Sequence, residues 1–493
     1  MTLKSPDFLQ EKCTSGKTPA ICHTPARPVT ATEKHFVLLI AILAGFLTPF
    51  DGSAVNIALP TIGSQFHMDA IALSWVTTAY LLACALFLVP FGKIADIYGR
   101  KKVFLIGIAV FSIASLAMTF VGSEEQMIAV RVIQGIGSAM IFGTSYAILT
   151  AVYPPGERGK AIGYTVTSVY LGLTLGPFLG GVLTQEFGWQ SIFYINIPIG
   201  IATIAVVLLA LKGEWAECIG EKFDFAGSVI YGLAIVAVMY GFSLLPGISG
   251  GIFLISGILL TVFFVWFERH RQYPVLDMKL FFHNRVFAFS SLAALINFSA
   301  TFAIGFLLSL DLQYTKGFTP EHAGLIIVAA PVVQMIIAPF SGRLSDRYDP
   351  QVLASVGMGF TALSLVLLAF ITETTPLWYI VLALLILGLG FGLFSSPNTN
   401  ALMSSVDKRF YGVAAGMQGT MRLIGQMLSM GLATMIFAIV IGQVEITPEY
   451  YPQFTTSLHY SFVLFTALCI IGIFASLARG KRGSTGAKEP VTE

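Results

Sequence analysis

Charged residues are scarce in this sequence. Of its 493 residues only 11% are Asp, Glu, Lys or Arg, whereas 56% are hydrophobic. A soluble domain with that much apolar surface would aggregate, so the composition predicts a polytopic membrane protein. The net charge of +2 adds little, because the placement of charges matters more than their sum in a membrane protein.

Motifs for catalysis and for metal binding are also lacking. The five cysteines are scattered without paired spacing, which argues against a disulfide framework and a metal site. No phosphate-binding Gly-Lys-Ser loop occurs, so ATP hydrolysis is not expected to drive the protein. We therefore expect no enzymatic activity, no cofactor, no metal and no nucleic-acid partner.

Residues 1–34 are polar and rich in Pro and Thr. They have no apolar core and no small-residue cleavage site, so they are predicted to be a disordered cytoplasmic tail and not a signal peptide. Apolar runs of about 20 residues follow, each long enough to cross the bilayer as a helix. The predicted runs are 36–60, 73–92, 103–121, 127–151, 161–184, 191–211, 225–245, 250–267, 287–310, 322–342, 352–371, 377–398, 411–441 and 459–478. The predicted fold is an all-α membrane protein of about fourteen helices.

Basic residues in the loops predict the orientation. The loops after even-numbered runs carry nearly all of the loop Lys and Arg, whereas the opposite loops hold Lys316 alone with several acids. By the positive-inside rule the basic loops are cytoplasmic. Both termini are then cytoplasmic, as an even number of helices requires. We expect a multi-pass protein of the plasma membrane.

Two of the basic loops repeat one pattern. The matching residues are Gly92 with Gly342, Asp96 with Asp346, Tyr98 with Tyr348 and Gly107 with Gly357. The repeat predicts two homologous six-helix bundles, at 35–211 and 286–480. Two inserted helices and a cytoplasmic linker at 212–285 would separate them, and 481–493 would form a second tail. Parallel six-helix repeats with a site between them are a secondary-transporter architecture.

Asp51 lies in the middle of the first apolar run, where a charge is expensive to keep. Arg131 lies in the fourth run, and both are predicted on the order of 8–13 Å below the outer face. Opposite charges at matching depth would offset each other's desolvation. Such a pair can couple protonation of Asp51 to conformation, although a static structural ion pair is the alternative.

Four segments together carry a family resemblance. They are GKIADIYGRKK from Gly92, FDGSAVNIALP from Phe50, RVIQGIGSAM from Arg131 and LGLTLGPFLGG from Leu171. With these segments the chain resembles the major facilitator superfamily, and within it the fourteen-helix drug:proton antiporter group. The motifs indicate the family strongly and the substrate weakly, because a fold does not fix a function.

The resemblance implies a charge latch in the first of the repeated loops. The latch residues would be Gly92, Asp96, Gly99, Arg100 and Lys101, with Asp346 and Arg347 in the partner loop. They would hold the two bundles together on the cytoplasmic side in the outward-facing state. Asp349-Pro350 replaces Gly99-Arg100 in the second copy, so we expect an asymmetric latch. The alternative is a basic turn that only sets topology.

The fifth run carries the antiporter motif of the family. Gly172, Gly176 and Gly180 recur on one helix face, and Pro177 and Gly181 accompany them. We expect a kinked helix that packs tightly against the other bundle and forms a gate. Ordinary close packing through small residues is the alternative.

Several polar residues in the apolar runs are candidates for a substrate cavity. They are Asn56, Gln134, Gln334, Asn398 and Arg422. Each amide side chain could instead form one interhelical hydrogen bond. Arg422 could extend to the cytoplasmic face as a snorkelling side chain. Asp311 is expected at the outer interface, where charge is cheap.

The function predicted from these features is proton-coupled export of lipophilic small molecules, possibly drugs, by alternating access. The partners would be the bilayer, the small-molecule substrate and protons, and the protein would be a monomer. A second hypothesis keeps the fold and assigns one endogenous metabolite or a lipid as cargo. A third is a membrane sensor that transports nothing.

Overall fold

The computed structural model describes residues 31–154, 157–211, 213–216, 220–271, 274–275, 284–406 and 411–479. All regular secondary structure within these ranges is helical. The α-helices are α1 (Ala31–Phe66), α2 (Ala70–Tyr98), α3 (Arg100–Met118), α4 (Glu124–Val152), α5 (Arg158–Phe187), α6 (Gln190–Ala210), α7 (Phe225–Ser243), α8 (Ile248–Arg269), α9 (Arg285–Thr301), α10 (Ala303–Leu310), α11 (Pro320–Ile327), α12 (Ala329–Arg347), α13 (Pro350–Ala369), α14 (Leu377–Ser404), α15 (Tyr411–Val440) and α16 (Tyr451–Leu477).

These helices form fourteen spans in the described part of the chain that are long and apolar enough to cross a membrane. Helices α9 and α10 and a π-helical turn at Asp311–Thr315 make one span, and α11 continues into α12. The predicted all-α class and the number of helices are confirmed. The inserted pair, separated in the sequence by only a short turn, is present as α7 and α8.

The first helix is longer than predicted. It begins at Ala31, so the last four residues of the predicted tail are helical. Lys34 explains part of this difference, because its ammonium group lies 2.7 Å from the Glu157 carboxylate. The Tyr153 hydroxyl donates to the Lys34 carbonyl at 2.8 Å. Residues 1–30 and 480–493, which include the rest of the predicted tails, lie outside the described residues.

Equivalent helices pack in the same way in the two halves. In the first half α1 packs on α5, α2 on α4, and α3 on α4 and α6. In the second half the corresponding pairs are α9 with α15, α12 with α14, and α13 with α14 and α16. Between the halves α5 packs on α11, and α2 packs on α15. This reciprocal contact is the one that a two-fold relation between repeats produces.

The inserted helices lie at the edge of this arrangement. Helices α7 and α8 pack on each other, and α7 also contacts α2 and α15. The Tyr231 hydroxyl of α7 donates to the Ala85 carbonyl at 3.0 Å. Most side chains of α8 are exposed, and many of them are large and apolar. An apolar face without a protein partner is what a lipid-facing helix presents.

The two halves are joined at one end of the helices. We call the side of the α2–α3 and α4–α5 connections the basic face and the side of the α1–α2 connection the opposite face. Five hydrogen bonds between described residues join the halves near the opposite face. They run from Gln313 Nε2 to Ile57 O (2.9 Å), from Tyr314 Oη to Pro60 O (3.3 Å), from Ala70 N to Val444 O (3.1 Å), between the hydroxyls of Ser74 and Thr434 (2.8 Å) and between His67 Nδ1 and Glu445 Oε1 (3.0 Å). The structure is therefore closed at the opposite face.

Candidate functional site

The carboxylate of Asp51 lies in the core of the first half and is fully buried. One oxygen, Oδ2, lies 2.7 Å from Nη1 of Arg131, which is also fully buried. The other oxygen, Oδ1, accepts hydrogen bonds from Gln134 Nε2 at 3.0 Å and from Asn196 Nδ2 at 2.8 Å. An ionised carboxylate at this position has three donors in contact with it.

Five helices of the first half supply this network. Arg131 Nε donates to the Val76 carbonyl of α2 at 3.0 Å, and the Arg131 guanidinium carbon lies 4.3 Å from the centre of the Tyr80 ring. Gln134 Nε2 also donates to the Ser115 hydroxyl of α3 at 3.0 Å. Arg131 follows the start of α4 by about two turns, or ~10 Å. The structure thus places the two charges in contact, as charges at matching depth in adjacent helices can be.

The chemistry of the pair follows from its complete burial away from solvent. Protonation of Asp51 would turn an acceptor oxygen into a donor and remove the charge that Arg131 faces. Breaking a buried pair by neutralising one partner costs ~3–5 kcal/mol. Arg131 Nη2 has no hydrogen-bond partner among the described residues. The guanidinium therefore has unused donor capacity for a second arrangement, and a proton on Asp51 would favour such a rearrangement.

Gln134 was predicted to line a substrate cavity, and the structure does not support that position. Its side chain is fully buried within the first half and belongs to the Asp51 network. The sequence reasoning assigned no contact with Asp51 to Asn196 or Ser115. Asn196 lies about two turns inside α6, so its depth matches that of Arg131. That matching depth was the available signal.

The predicted latch residues lie at the start of α3. Arg100 Nε donates to Asp96 Oδ1 at 2.8 Å, and Arg100 Nη1 donates to the Ala147 carbonyl at 3.2 Å. Gly99 has a φ of +120°, which a side chain rarely adopts, and a Cβ there would lie 2.5 Å from Glu214 Cδ. At Gly92 no atom lies within 4 Å of a Cβ position. The contacts seen here hold the loop against the first half.

Residues of the linker after α6 bind the same loop. The sequence did not lead us to predict this contact. Glu214 Oε1 accepts the Lys101 backbone N–H at 2.7 Å, and Lys93 Nζ lies 2.5 Å from Glu221 Oε2. The Lys101 ammonium donates to the Leu211 carbonyl. Acidic residues just after a basic motif were the signal for this contact. In the partner loop, Arg347 is exposed at the end of α12, and the side chain of Asp346 lies outside the described ones.

The glycine face of α5 does not meet the other half, and that prediction was wrong. A Cβ at Gly172 would lie 2.6 Å from the Phe46 carbonyl oxygen, and one at Gly180 would lie 2.8 Å from the Cα of Ala54. Gly176 packs on Ser53. All three glycines therefore face α1 of the same half, because the four-residue spacing places them along one helix–helix contact.

The contact of α5 with the other half is made by the remaining motif residues. A Cβ at Gly181 would lie 2.5 Å from the Pro320 carbonyl oxygen and 3.0 Å from the Cα of Glu321. Gly324 of α11 packs directly on the Pro177 carbonyl. Backbone thus meets backbone between the halves near the opposite face. The gate prediction stays a prediction, and it now falls on Pro177 and Gly181.

Two predicted cavity residues make ordinary hydrogen bonds within one half. Asn56 accepts a hydrogen bond from the Thr77 hydroxyl at 3.0 Å, which links α1 to α2. Asn398 accepts from Arg479 Nη2 at 2.5 Å near the basic face. Burial lowers the pKa of Arg479 to about 10, so this arginine stays protonated at neutral pH.

The other two predicted cavity residues, Gln334 and Arg422, lie between the halves. The guanidinium carbon of Arg422 is 5.3 Å from the centre of the Phe142 ring of α4. Gln334 is buried beside Tyr170 of α5, whose hydroxyl lies 2.6 Å from that of Ser395. Arg422 lies about three turns from the start of α15, or ~16 Å. The structure therefore does not support the interpretation as a snorkelling side chain.

Asp311 was expected at the outer interface, and it is buried instead, with 1% of its surface exposed. It begins the π-helical turn, and its backbone carbonyl accepts the Lys316 N–H at 3.0 Å. The helical span continues to Thr315, so Asp311 is not at its end. That continuation explains why the sequence reasoning placed it too near the surface.

Two bundles of six spans, the first with a buried ion pair in its core, define a polytopic membrane protein with secondary-transporter architecture. Comparison with known proteins is consistent with this class. The family model described as Major Facilitator Superfamily matches residues 41–218 and 223–430. The chain belongs to the major facilitator superfamily and is a transporter of that family.

Individual relatives agree with the family. The chain is 29% identical over 451 residues to "Riboflavin transporter RibZ" of Clostridioides difficile, which covers 90% of this chain and 97% of that protein. It is 30% identical over 410 residues to "Multidrug resistance protein Stp" of Mycobacterium tuberculosis, at 81% and 76% coverage. The resemblance to the fourteen-helix group drawn from the motifs is confirmed by such relatives.

A solved structure shares the fold. It is a bacterial homolog to the human lysosomal transporter Spinster, in an inward-facing and unoccupied conformation. It superposes with a TM-score of 0.66 at 17% sequence identity, over 92% of this chain and 98% of that one. This likeness supports the fold described above.

Proposed function

We propose that the protein is a proton-coupled antiporter that exports lipophilic small molecules by alternating access. The observation that carries the proposal is the buried pair of Asp51 and Arg131, 2.7 Å apart with no exposed surface. A carboxylate at this depth is expensive, and its protonation changes the charge that five helices surround. That change gives a proton a means of altering how the first half packs.

Alternating access supplies the rest of the cycle. The halves are closed at the opposite face, where Ser74 meets Thr434 and α5 meets α11. In the proposed cycle a proton reaches Asp51 from the opposite face and leaves toward the basic face. The membrane field contributes ~2.3 kcal/mol per charge per 100 mV to this movement. Cargo bound between the halves moves the other way.

The loops and the names of the relatives support a direction of transport and a compartment. We propose that the basic face is cytoplasmic in a plasma membrane, because basic loops stay inside. "Multidrug resistance" in the name of a relative favours export of lipophilic compounds. "Riboflavin transporter" in the name of another favours the second candidate, export of one endogenous metabolite by the same mechanism.

The test is uphill transport in proteoliposomes by an Asp51→Asn variant. The compound is first chosen from a panel by protection of growth on expression of the protein. Asparagine mimics the protonated acid but cannot release a proton. We therefore expect gradient-driven accumulation to vanish while exchange of labelled for unlabelled compound continues. Accumulation at the parent rate would contradict the proposal.

Two further variants serve as controls for this test. Asp69→Asn is the matched control, because Asp69 lies outside the network and only caps α2 by accepting the Ala72 N–H at 2.7 Å. It should accumulate the compound like the parent protein. Since Asp51→Asn leaves Arg131 buried without its partner, Asp51→Asn with Arg131→Gln restores neutrality. The double variant should fold, catalyse exchange and fail to accumulate the compound against a gradient.

A further inference from the structure

A cation from the second half projects into an aromatic surface of the first half. Besides the Phe142 ring at 5.3 Å, the Arg422 guanidinium lies within electrostatic reach of the hydroxyls of Tyr146 and Tyr170. These rings come from α4 and α5. The cation and the rings lie where α15 of the second half meets α4 of the first.

Arg422 has no acidic counterpart among the described side chains. The ion pairs found between them include Asp51 with Arg131, Asp96 with Arg100 and Lys93 with Glu221, and none involves Arg422. Its Nε is buried and has no hydrogen-bond partner in the described part of the protein. A cation–π contact offsets only part of the cost of withdrawing a guanidinium from water. The buried Nε thus lacks an acceptor, and an anion would supply one.

A second buried donor lies near the same tyrosine. Gln334 has only 8% of its surface exposed, and beyond its contact with the Tyr170 hydroxyl its Nε2 makes no hydrogen bond among the described residues. Both Gln334 and Arg422 lie beside Tyr170, one of the residues that joins the halves. Two donors and flat ring surfaces therefore lie near Tyr170, between the halves. A carboxylate can accept from both donors, and a planar ring can pack on Phe142.

We infer that Arg422 and Gln334 bind the carboxylate of a planar aromatic acid whose ring packs against Phe142. This inference rests on the proposed function in one respect only, namely that the bound acid is the transported cargo. The site also has a direct connection to the ion pair. Arg131, Ser138 and Phe142 follow one another along α4, and Tyr80 lies against Arg131 while its hydroxyl is 2.7 Å from that of Ser138. Binding of the acid at the Phe142 end of this row can therefore affect Arg131 at the other end.

The test is equilibrium binding to the full-length protein in lipid nanodiscs without a proton gradient. The probes share one ring and differ only in charge: 2-naphthoate, 2-naphthalenemethanol and 2-naphthylmethylammonium. We expect the wild-type protein to prefer the carboxylate. Arg422→Gln should weaken 2-naphthoate binding roughly tenfold or more, because a charge-assisted bidentate contact is lost, and should leave the binding of the alcohol unchanged.

Arg269→Gln is the matched control, since Arg269 is an exposed arginine at the end of α8. It should retain the preference for the carboxylate. The inference is overturned if the wild-type protein shows no preference for 2-naphthoate, or if Arg422→Gln keeps it. Because no gradient is present, a protein that binds the acid but does not pump would contradict the proposed function alone. A protein that pumps only neutral or cationic compounds would contradict this inference alone.

Discussion

The backbone contact between α5 and α11 provides the sharpest test of a gate at the opposite face. A Cβ at Gly181 would lie 2.5 Å from the Pro320 carbonyl oxygen and 3.0 Å from the Cα of Glu321. Neither atom belongs to a side chain that could rotate away. Overpacking of this kind costs ~1–3 kcal/mol. Since 1.4 kcal/mol is tenfold, Gly181→Ala should shift the population away from the closed opposite face by roughly 5- to 150-fold.

The gain in helix propensity from Gly to Ala, about 1 kcal/mol, is common to both states and cancels in this ratio. Gly176→Ala is the matched control, because its added Cβ meets Ser53 of α1 within the same half. That contact does not change when the halves separate. The control should therefore lower thermal stability or expression without altering the balance between the two states.

The measurement is labelling of a cysteine at position 74 by a membrane-impermeant maleimide applied from outside. Ser74 is fully buried against Thr434 while the opposite face is closed, so its labelling rate reports opening. The five native cysteines are first replaced by serine. Gly181→Ala should raise the labelling rate by about the factor above. A well-expressed Gly181→Ala protein that labels at the parent rate would refute the gate.

Two further predictions use other contacts. Asp96→Asn removes the carboxylate that accepts from Arg100 at 2.8 Å; if the loop stabilises closure at the basic face, the variant should favour opening there, and labelling at position 74 should become slower. Labelling at the parent rate would leave the loop with a topological role only. Asn196→Ala removes a 2.8 Å donor to Asp51 and should lower stability by ~1–3 kcal/mol, as loss of a buried hydrogen bond does. Its thermal unfolding would be compared with that of Asn56→Ala, and an unchanged melting temperature in Asn196→Ala would contradict the network.

The spans and the buried pair could be predicted because both depend on local sequence. An apolar run of about 20 residues has few alternatives to a membrane helix. Asp51 and Arg131 are charges at matching depth, and neither tolerates that position alone. The same reasoning extends to Asn196, whose place about two turns inside α6 shows that it could have been included in the network.

Which helix faces meet could not be read from the sequence. Helix α5 carries small residues on two faces, Gly172 with Gly176 and Pro177 with Gly181, and both patterns permit close packing. The structure assigns the first face to α1 and the second to α11. The run that carries Arg422 was predicted to begin at residue 411, where α15 does begin. The contact of Arg422 with Phe142 of α4 depends instead on how the two halves pack.

The central claim, that Asp51 carries the proton whose release is linked to cargo binding, is tested most directly by proton release. Purified protein in weakly buffered detergent solution is mixed with its transported compound, and a pH-sensitive dye records the change. The wild-type protein and Asp69→Asn should release protons when the compound binds. Asp51→Asn should bind the compound and release none. Equal proton release by Asp51→Asn would show that another group carries the proton.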